Sequence, residues 1–163
     1  MRPENEGRSS LMDDLFLNAT IVPNIAASGK RRALQALAEA LSVDNGLDPH
    51  TVMELLLARE QLGATGVGGG VAMPHGRVAD LKQLLIAFGR LKEPVEYESP
   101  DGQAVDLILM ILAPEDSGSI CLKALSIASR VLRSNEVRDQ LRRAEDIDTI
   151  REILCRKHEA IAA

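Results

Sequence analysis

Aromatic side chains are almost missing from this chain: 163 residues hold no Trp, one Tyr and two Phe. The core must therefore be aliphatic, and no platform exists on which the bases of single-stranded nucleic acid would stack. Basic excess is missing as well. Nineteen Lys and Arg against 24 Asp and Glu leave a formal charge of −5, the reverse of a nucleic-acid binder's electrostatic footprint, so no nucleic-acid partner is expected. Cysteine is scarce: Cys121 and Cys155 form no CxxC and have no His at ligand spacing, which excludes a disulfide framework and a zinc site and leaves two reduced thiols. Long apolar runs are absent too. Residues 105–113, the most hydrophobic segment, are far too few to span a bilayer, so no membrane insertion is expected. The first fourteen residues carry acids and no signal-peptide core, and a cytoplasmic location is expected.

What is present fits one domain with a single substantial core. Residues 1 to about 12 read as a polar tail, and Leu15 to Ile25 as an apolar segment of ambiguous type. Ser28 is placed to cap a helix to about Ser42 with Ala33, Leu34, Leu37, Ala38 and Leu41 on one face; Asp44-Asn45-Gly46 ends it. A second helix is better marked. Asp48 stands at its N-cap, Pro49 at the first helical position, Val52, Leu55, Leu56 and Leu62 form its stripe, and Gly63 closes it. Strands follow over Leu84 to Leu91 and, as a short edge, Val95 to Glu98; after the Pro100-Asp101-Gly102 turn, the aliphatic run Val105 to Leu112 has the pattern of a central strand covered on both faces. Helices resume over about Ser119 to Arg133, striped by Leu122, Leu125, Ser129 and Leu132, then Glu136 to Arg143 and Ile147 to about His158. The expectation is an α/β fold: a mixed parallel and antiparallel sheet of about five strands, flanked by helices on both faces.

Chemistry concentrates between Gly63 and Arg77, where six of the twelve glycines bracket His75, one of three histidines. The spacing fits neither common glycine-rich motif. Counted from Gly66, the last position of a dinucleotide fingerprint is Val71 and no helix follows, and the Gly-Lys-Ser/Thr of a P-loop is absent. Pro74 holds the segment before His75 out of helix, so His75 is expected in extended or turned backbone. A neutral imidazole is nucleophilic at whichever nitrogen lacks the proton, and a backbone carbonyl accepting from the other would fix the tautomer. Phosphoryl transfer suits such a site, since it asks mainly for in-line positioning and donors to the phosphoryl oxygens. Thr65 and loop N–H groups would be neutral donors; Arg59, in the last turn of the second helix, and Arg77 would be cationic ones. Cys121 opens the helix after the central strand, where an anion is favoured, although a small buried apolar residue on the face of Leu125, Ala128 and Leu132 explains it better. His50 and His158 read as surface residues.

Residue order then adds a resemblance. The segments Arg59-Glu60-Gln61-Leu62-Gly63-Ala64-Thr65-Gly66, Gly70-Val71-Ala72-Met73-Pro74-His75-Gly76-Arg77 and Pro100-Asp101-Gly102-Gln103-Ala104-Val105-Asp106-Leu107 resemble the enzyme IIA domains of the phosphoenolpyruvate-dependent phosphotransferase system. The type is mannitol/fructose, nearest the nitrogen-regulatory branch, and the likeness covers residues 12 to 155. It implies a flexible tail over residues 1–11 and one IIA domain over 12–163. It also implies that His75 accepts a phosphoryl group from an HPr-type phosphocarrier protein, that Arg59 matches an arginine beside the site, that Thr65, Gly66, Gly76 and Arg77 form the phosphoryl-binding loop, and that no metal or cofactor is needed. Cys121 stands where the family has a second histidine, and Ala64 where it commonly has Ser. A thiol lacks the imidazole's directional N–H donor.

Because the sequence carries no IIB or permease domain, the resemblance implies a regulatory role: phosphorylation of His75 controls protein binding. Two other readings stand beside it. One is a non-catalytic binding module with an impaired site, and the other a sugar-transport IIA working with separate IIB and IIC chains.

Overall fold

The computed structural model describes residues 15–162, with side chains through residue 156. The tail expected over residues 1–11 lies outside the described residues, as does the side chain of His158. The elements run β1 (Thr20–Ile25), α1 (Lys30–Asn45), α2 (Pro49–Gln61), β2 (Gly66–Gly68), β3 (Val71–Ala72), β4 (His75–Val78), β5 (Leu85–Val95), β6 (Val105–Pro114), α3 (Ile120–Arg133), α4 (Asn135–Arg143) and α5 (Ile147–Ala162).

β6 is the axis of the sheet. Leu107 through Leu112 have no exposed surface, and burial of each such side chain is worth roughly 1.5–3 kcal/mol, which a strand gains in full only when both faces are covered. Leu107, Leu109, Ile111 and Ala113 face α3, α4 and α5, while Ile108, Met110 and Leu112 face α1 and α2. The strand order is β1-β5-β6-β3-β2 with β4 also on β6, so the α/β fold has a mixed sheet between two helical layers. β5 pairs antiparallel with β6, and β1 pairs parallel with β5. On the other edge of β6, β3 and β4 lie end to end, both parallel to it. Pro74 interrupts them, having no N–H to give, yet its carbonyl still accepts from Ile111 N–H at 3.0 Å.

The sheet has six strands rather than about five, because the glycine-rich segment forms β2, β3 and β4 instead of a loop. Val95 to Glu98 is not a separate edge strand: β5 runs through Pro94 to Val95, which pairs with Val105. Leu15 and Phe16 pack into the core ahead of β1. Helix α1 begins behind Gly29 without a side-chain cap, so Ser28 does not cap it, and Gly46 ends it in the left-handed conformation. In α2, Asp48 does cap: its carboxylate accepts from His50 N–H at 3.3 Å and from the Thr51 hydroxyl at 2.8 Å. Leu62 and Leu122, expected on buried stripes, face solvent. In α3 the buried face is instead Cys121, Ala124, Ala128, Val131 and Leu132. No helix among the described residues is long and apolar enough to cross a membrane.

Candidate active site

The glycine-rich segment is a hairpin held from outside. β2 and β3 pair antiparallel around Gly69 and Gly70, and both ends of the turn are anchored by distant residues. Gly69 N–H donates to the Asp101 carboxylate at 2.9 Å, and Arg142 donates to the Gly69 carbonyl at 2.9 Å. Arg142 reaches in as half of an ion pair, with Nε 2.8 Å and Nη2 2.9 Å from the two oxygens of Asp106. The Gly70 carbonyl accepts from both Asp106 N–H and Leu107 N–H. Glycines in this turn therefore let protein groups approach the backbone closely; they do not line the cavity at His75.

β4 positions that histidine. His75 pairs with Ile111 and Arg77 with Ala113, both on the face toward α3, while Gly76 turns to α2, where a Cβ would meet Leu55 at 3.8 Å. His75 is half-buried, and its Nδ1 lies 3.0 Å from the Met73 carbonyl. A carbonyl only accepts, so Nδ1 carries the proton and the lone pair of the neutral ring is on Nε2. Arg59, Thr65, Gly66 and His75 line a cavity of about 290 Å³, together with Ala64, Val67, Met73, Leu125 and Ser129.

Two neighbours at the end of α2 hold the floor of this cavity. Arg59 donates to the Gly63 carbonyl at 2.8 Å. Glu60, beside it, accepts from Thr65 N–H at 3.0 Å, from the Thr65 hydroxyl and from the Tyr97 hydroxyl at 3.3 Å, and pairs with Lys30 at 2.9 Å. Burial pushes the Glu60 carboxyl up, but the hydrogen bonds from Thr65 and Lys30 outweigh it and hold it below the ordinary carboxylate value. Burial raises the Tyr97 hydroxyl well above the ordinary phenol range, and the ammonium of Lys30 sits 4.4 Å from the centre of its ring. Both the hydroxyl and the N–H of Thr65 are thus engaged by Glu60 rather than open to the cavity.

Arg77 and Cys121 stand apart from the cavity lining. Arg77 is exposed and donates to the Glu115 carbonyl at 3.3 Å and the Gly118 carbonyl at 3.1 Å, tying β4 to the turn before α3. Cys121 is buried in the core among α3 side chains; burial raises its thiol, opposed in part by the charge of Arg77. Since the thiolate is the reactive form, Cys121, buried and with its thiol raised, is expected to alkylate more slowly near neutral pH in the folded protein than in denaturant. Peptide mapping after timed labelling checks this, and equal rates would show that the thiol is open to solvent.

Glu60, Tyr97, Lys30, Ser129, Asp106 and Arg142 went unread as site or support residues. One signal was available for Glu60: a carboxylate in the last turn of a helix opposes the helix dipole and calls for a compensating partner. All three aromatics, Phe16, Phe88 and Tyr97, are fully buried. Among the described residues no cluster of His, Cys, Asp and Glu has the composition to hold a metal ion.

Comparison with known proteins bears directly on this geometry. Residues 14–157 match the family model described as phosphoenolpyruvate-dependent sugar phosphotransferase system, EIIA 2. The chain is 41% identical over 141 residues to a nitrogen regulatory protein of Bradyrhizobium diazoefficiens, covering 86% of this chain and 92% of that one. It is 38% identical over 142 residues to the fructose-specific EIIABC component of Bacillus subtilis, covering 86% of this chain and 22% of that protein. Its fold superposes on the crystal structure of nitrogen regulatory protein IIA-Ntr from Neisseria meningitidis with a TM-score of 0.79 at 36% identity, over 86% of this chain and 94% of that one.

Proposed function

This chain belongs to the EIIA 2 family of the phosphoenolpyruvate-dependent sugar phosphotransferase system, and from that membership we propose that His75 is its phosphoacceptor. The phosphohistidine of an HPr-type carrier is the donor. The observation that carries this reading is the hydrogen bond from His75 Nδ1 to the Met73 carbonyl. It leaves the Nε2 lone pair as the nucleophile. In the transfer, an Nε2–P bond forms as the donor's N–P bond breaks, and the donor imidazole leaves with the bonding pair. The Nδ1 proton stays on His75, where the Met73 carbonyl continues to accept from a ring that has become cationic. Arg59 lines the same cavity and can exchange its bond to the Gly63 carbonyl for one to a phosphoryl oxygen, a charge-assisted contact.

The likeness to nitrogen regulatory proteins supports a regulatory carrier. A phosphoryl group in the cavity adds negative charge and three acceptor oxygens, and so changes which proteins dock there. The fructose-specific relative supports a transport role as the second reading, and onward transfer to a separate IIB protein distinguishes the two. Incubation with phosphoenolpyruvate, enzyme I and an HPr-type carrier is expected to add one acid-labile phosphoryl group. ¹⁵N and ³¹P NMR should place it on Nε2 of His75. No uptake, or uptake at another residue, would overturn the reading.

A further inference from the structure

We propose that Glu60, braced by Lys30 and Tyr97, is a positioning residue that fixes the reactive tautomer of His75 through two backbone links; this rests on the phosphocarrier reading of His75. The path is continuous. Glu60 Oε1 accepts from Thr65 N–H at 3.0 Å, and Oε2 accepts from the Thr65 hydroxyl, so a single carboxylate grips Thr65 at two points. The Thr65 carbonyl accepts from Met73 N–H at 2.9 Å. The Met73 carbonyl, on the far side of the same residue, accepts from His75 Nδ1 at 3.0 Å. Each hydrogen bond holds one of the two peptide groups that flank Thr65 or Met73, and so restrains the residue whose other peptide group makes the next bond.

The carboxylate is in an expensive place. Its side chain is only 5% exposed, and it lies in the last turn of α2, where the helix dipole opposes a negative charge. A buried charge persists only if its lone pairs are matched. Four donors meet the two oxygens of Glu60: Lys30 Nζ and Thr65 N–H at Oε1, and the Thr65 and Tyr97 hydroxyls at Oε2. Lys30 comes from the first residue of α1 and Tyr97 from the segment after β5. The helical layer and the sheet thus converge on one carboxylate, whose bonds lead to the phosphoacceptor. Thr65 itself is 5% exposed and Tyr97 fully buried, so water does not readily replace either partner. Arg59 holds the Gly63 carbonyl in the same turn, and the two adjacent side chains together fix the segment that forms the cavity's floor.

A network that served only the stability of the fold would leave the ring tautomer untouched, and this separates the two roles. Multiple-bond ¹H–¹⁵N correlation spectra of the unphosphorylated chain report which nitrogen of His75 carries the proton. The wild type is expected to show the Nδ1–H form alone. Glu60→Ala, confirmed folded by its amide spectrum, is expected to show mixed tautomers and phosphoryl uptake from a phosphorylated HPr-type carrier slower by ~10- to 10²-fold, the scale of a modest misplacement of a reacting group. Glu54→Ala, which removes an exposed carboxylate of the same helix outside the cavity lining, is expected to retain the wild-type tautomer and rate. If Glu60→Ala fails to fold, Glu60→Gln, which keeps an acceptor for Thr65 N–H and loses the second charged oxygen, carries the test with partial mixing expected. A folded Glu60 variant with the wild-type tautomer overturns the proposal, whatever its uptake rate. Mixed tautomers in a chain whose wild type takes up no phosphate would leave the positioning role standing and remove the phosphocarrier reading instead.

Discussion

Replacing His75 with alanine or glutamine is expected to lower phosphoryl uptake by ~10⁴-fold or more, the scale of removing a nucleophile outright, while the fold survives. No other group in the cavity can take over. The Thr65 hydroxyl is committed to Glu60, and the hydroxyl of Ser129, the other one in the lining, has no general base among the lining residues once His75 is gone. Cys121 is buried with its thiol pushed up. His50 sits at the opposite end of α2, exposed and paired with Glu54 at 3.0 Å. The structural cost is small by comparison. His75 is half-buried at a strand end, and losing its bond to the Met73 carbonyl is worth about 1 kcal/mol, or roughly 2–4 °C in melting temperature for a chain of this size. Glutamine can still donate an amide proton to that carbonyl and should melt close to wild type, which isolates the missing nucleophile from any packing defect. Acid-labile phosphate and a thermal melt on the same samples check both halves. Retained uptake in a folded variant would move the phosphorylation site elsewhere.

The parts of this chain that were legible in the sequence are those whose physics is local. β6 could be read because seven of the eight positions from Val105 to Leu112 are aliphatic or Met, a pattern that suits a strand covered on both faces. Helix α2 could be read because Asp48 and Pro49 mark its start and Gly63 follows its end. His75 stood out through its setting, and the sheet does hold it beside Arg59, Thr65 and Gly66. β2, β3 and β4 could not be read. At two to four residues each they are too short for a period to register, and their glycines suggest loop. Helical spacing alone also misjudged Leu62 and Leu122: it defines a stripe but cannot tell which edge of the stripe passes beyond the neighbouring element into solvent. The least legible features were long-range polar ones. Nothing in the run of residues around Asp106 or Arg142 announces that they meet across the glycine turn, and Tyr97 gave no sign that its hydroxyl would find Glu60. Such pairings are set by the tertiary fold, and a single sequence carries no period for them.

Away from His75, Gly70→Ala is expected to destabilise the protein by roughly 2–4 kcal/mol and to lower its melting temperature by about 5–15 °C. Two costs combine. The φ of Gly70 is +80°, a left-handed conformation that an L side chain adopts only at a penalty of about 1 kcal/mol. The larger part is steric. A Cβ there would lie 2.5 Å from Arg142 Nη2 and 2.9 Å from Asp106 Oδ1, so the ion pair must open or the turn must move. The turn cannot move freely, because the Gly70 carbonyl accepts from Asp106 N–H at 3.0 Å and Leu107 N–H at 3.1 Å, tying it to the central strand. The ion pair cannot open without cost, because Arg142 also holds the Gly69 carbonyl. Gly46→Ala separates the two contributions: its φ is +68° but a Cβ there meets nothing within 4 Å, so it should lose only the conformational share of about 1 kcal/mol. Urea unfolding of both variants gives the difference directly. If Gly70→Ala costs no more than Gly46→Ala, the Asp106–Arg142 pair does not clamp the hairpin. If it costs more, the strand that leads into Pro74 and His75 is held by a residue of α4 on the far side of the turn.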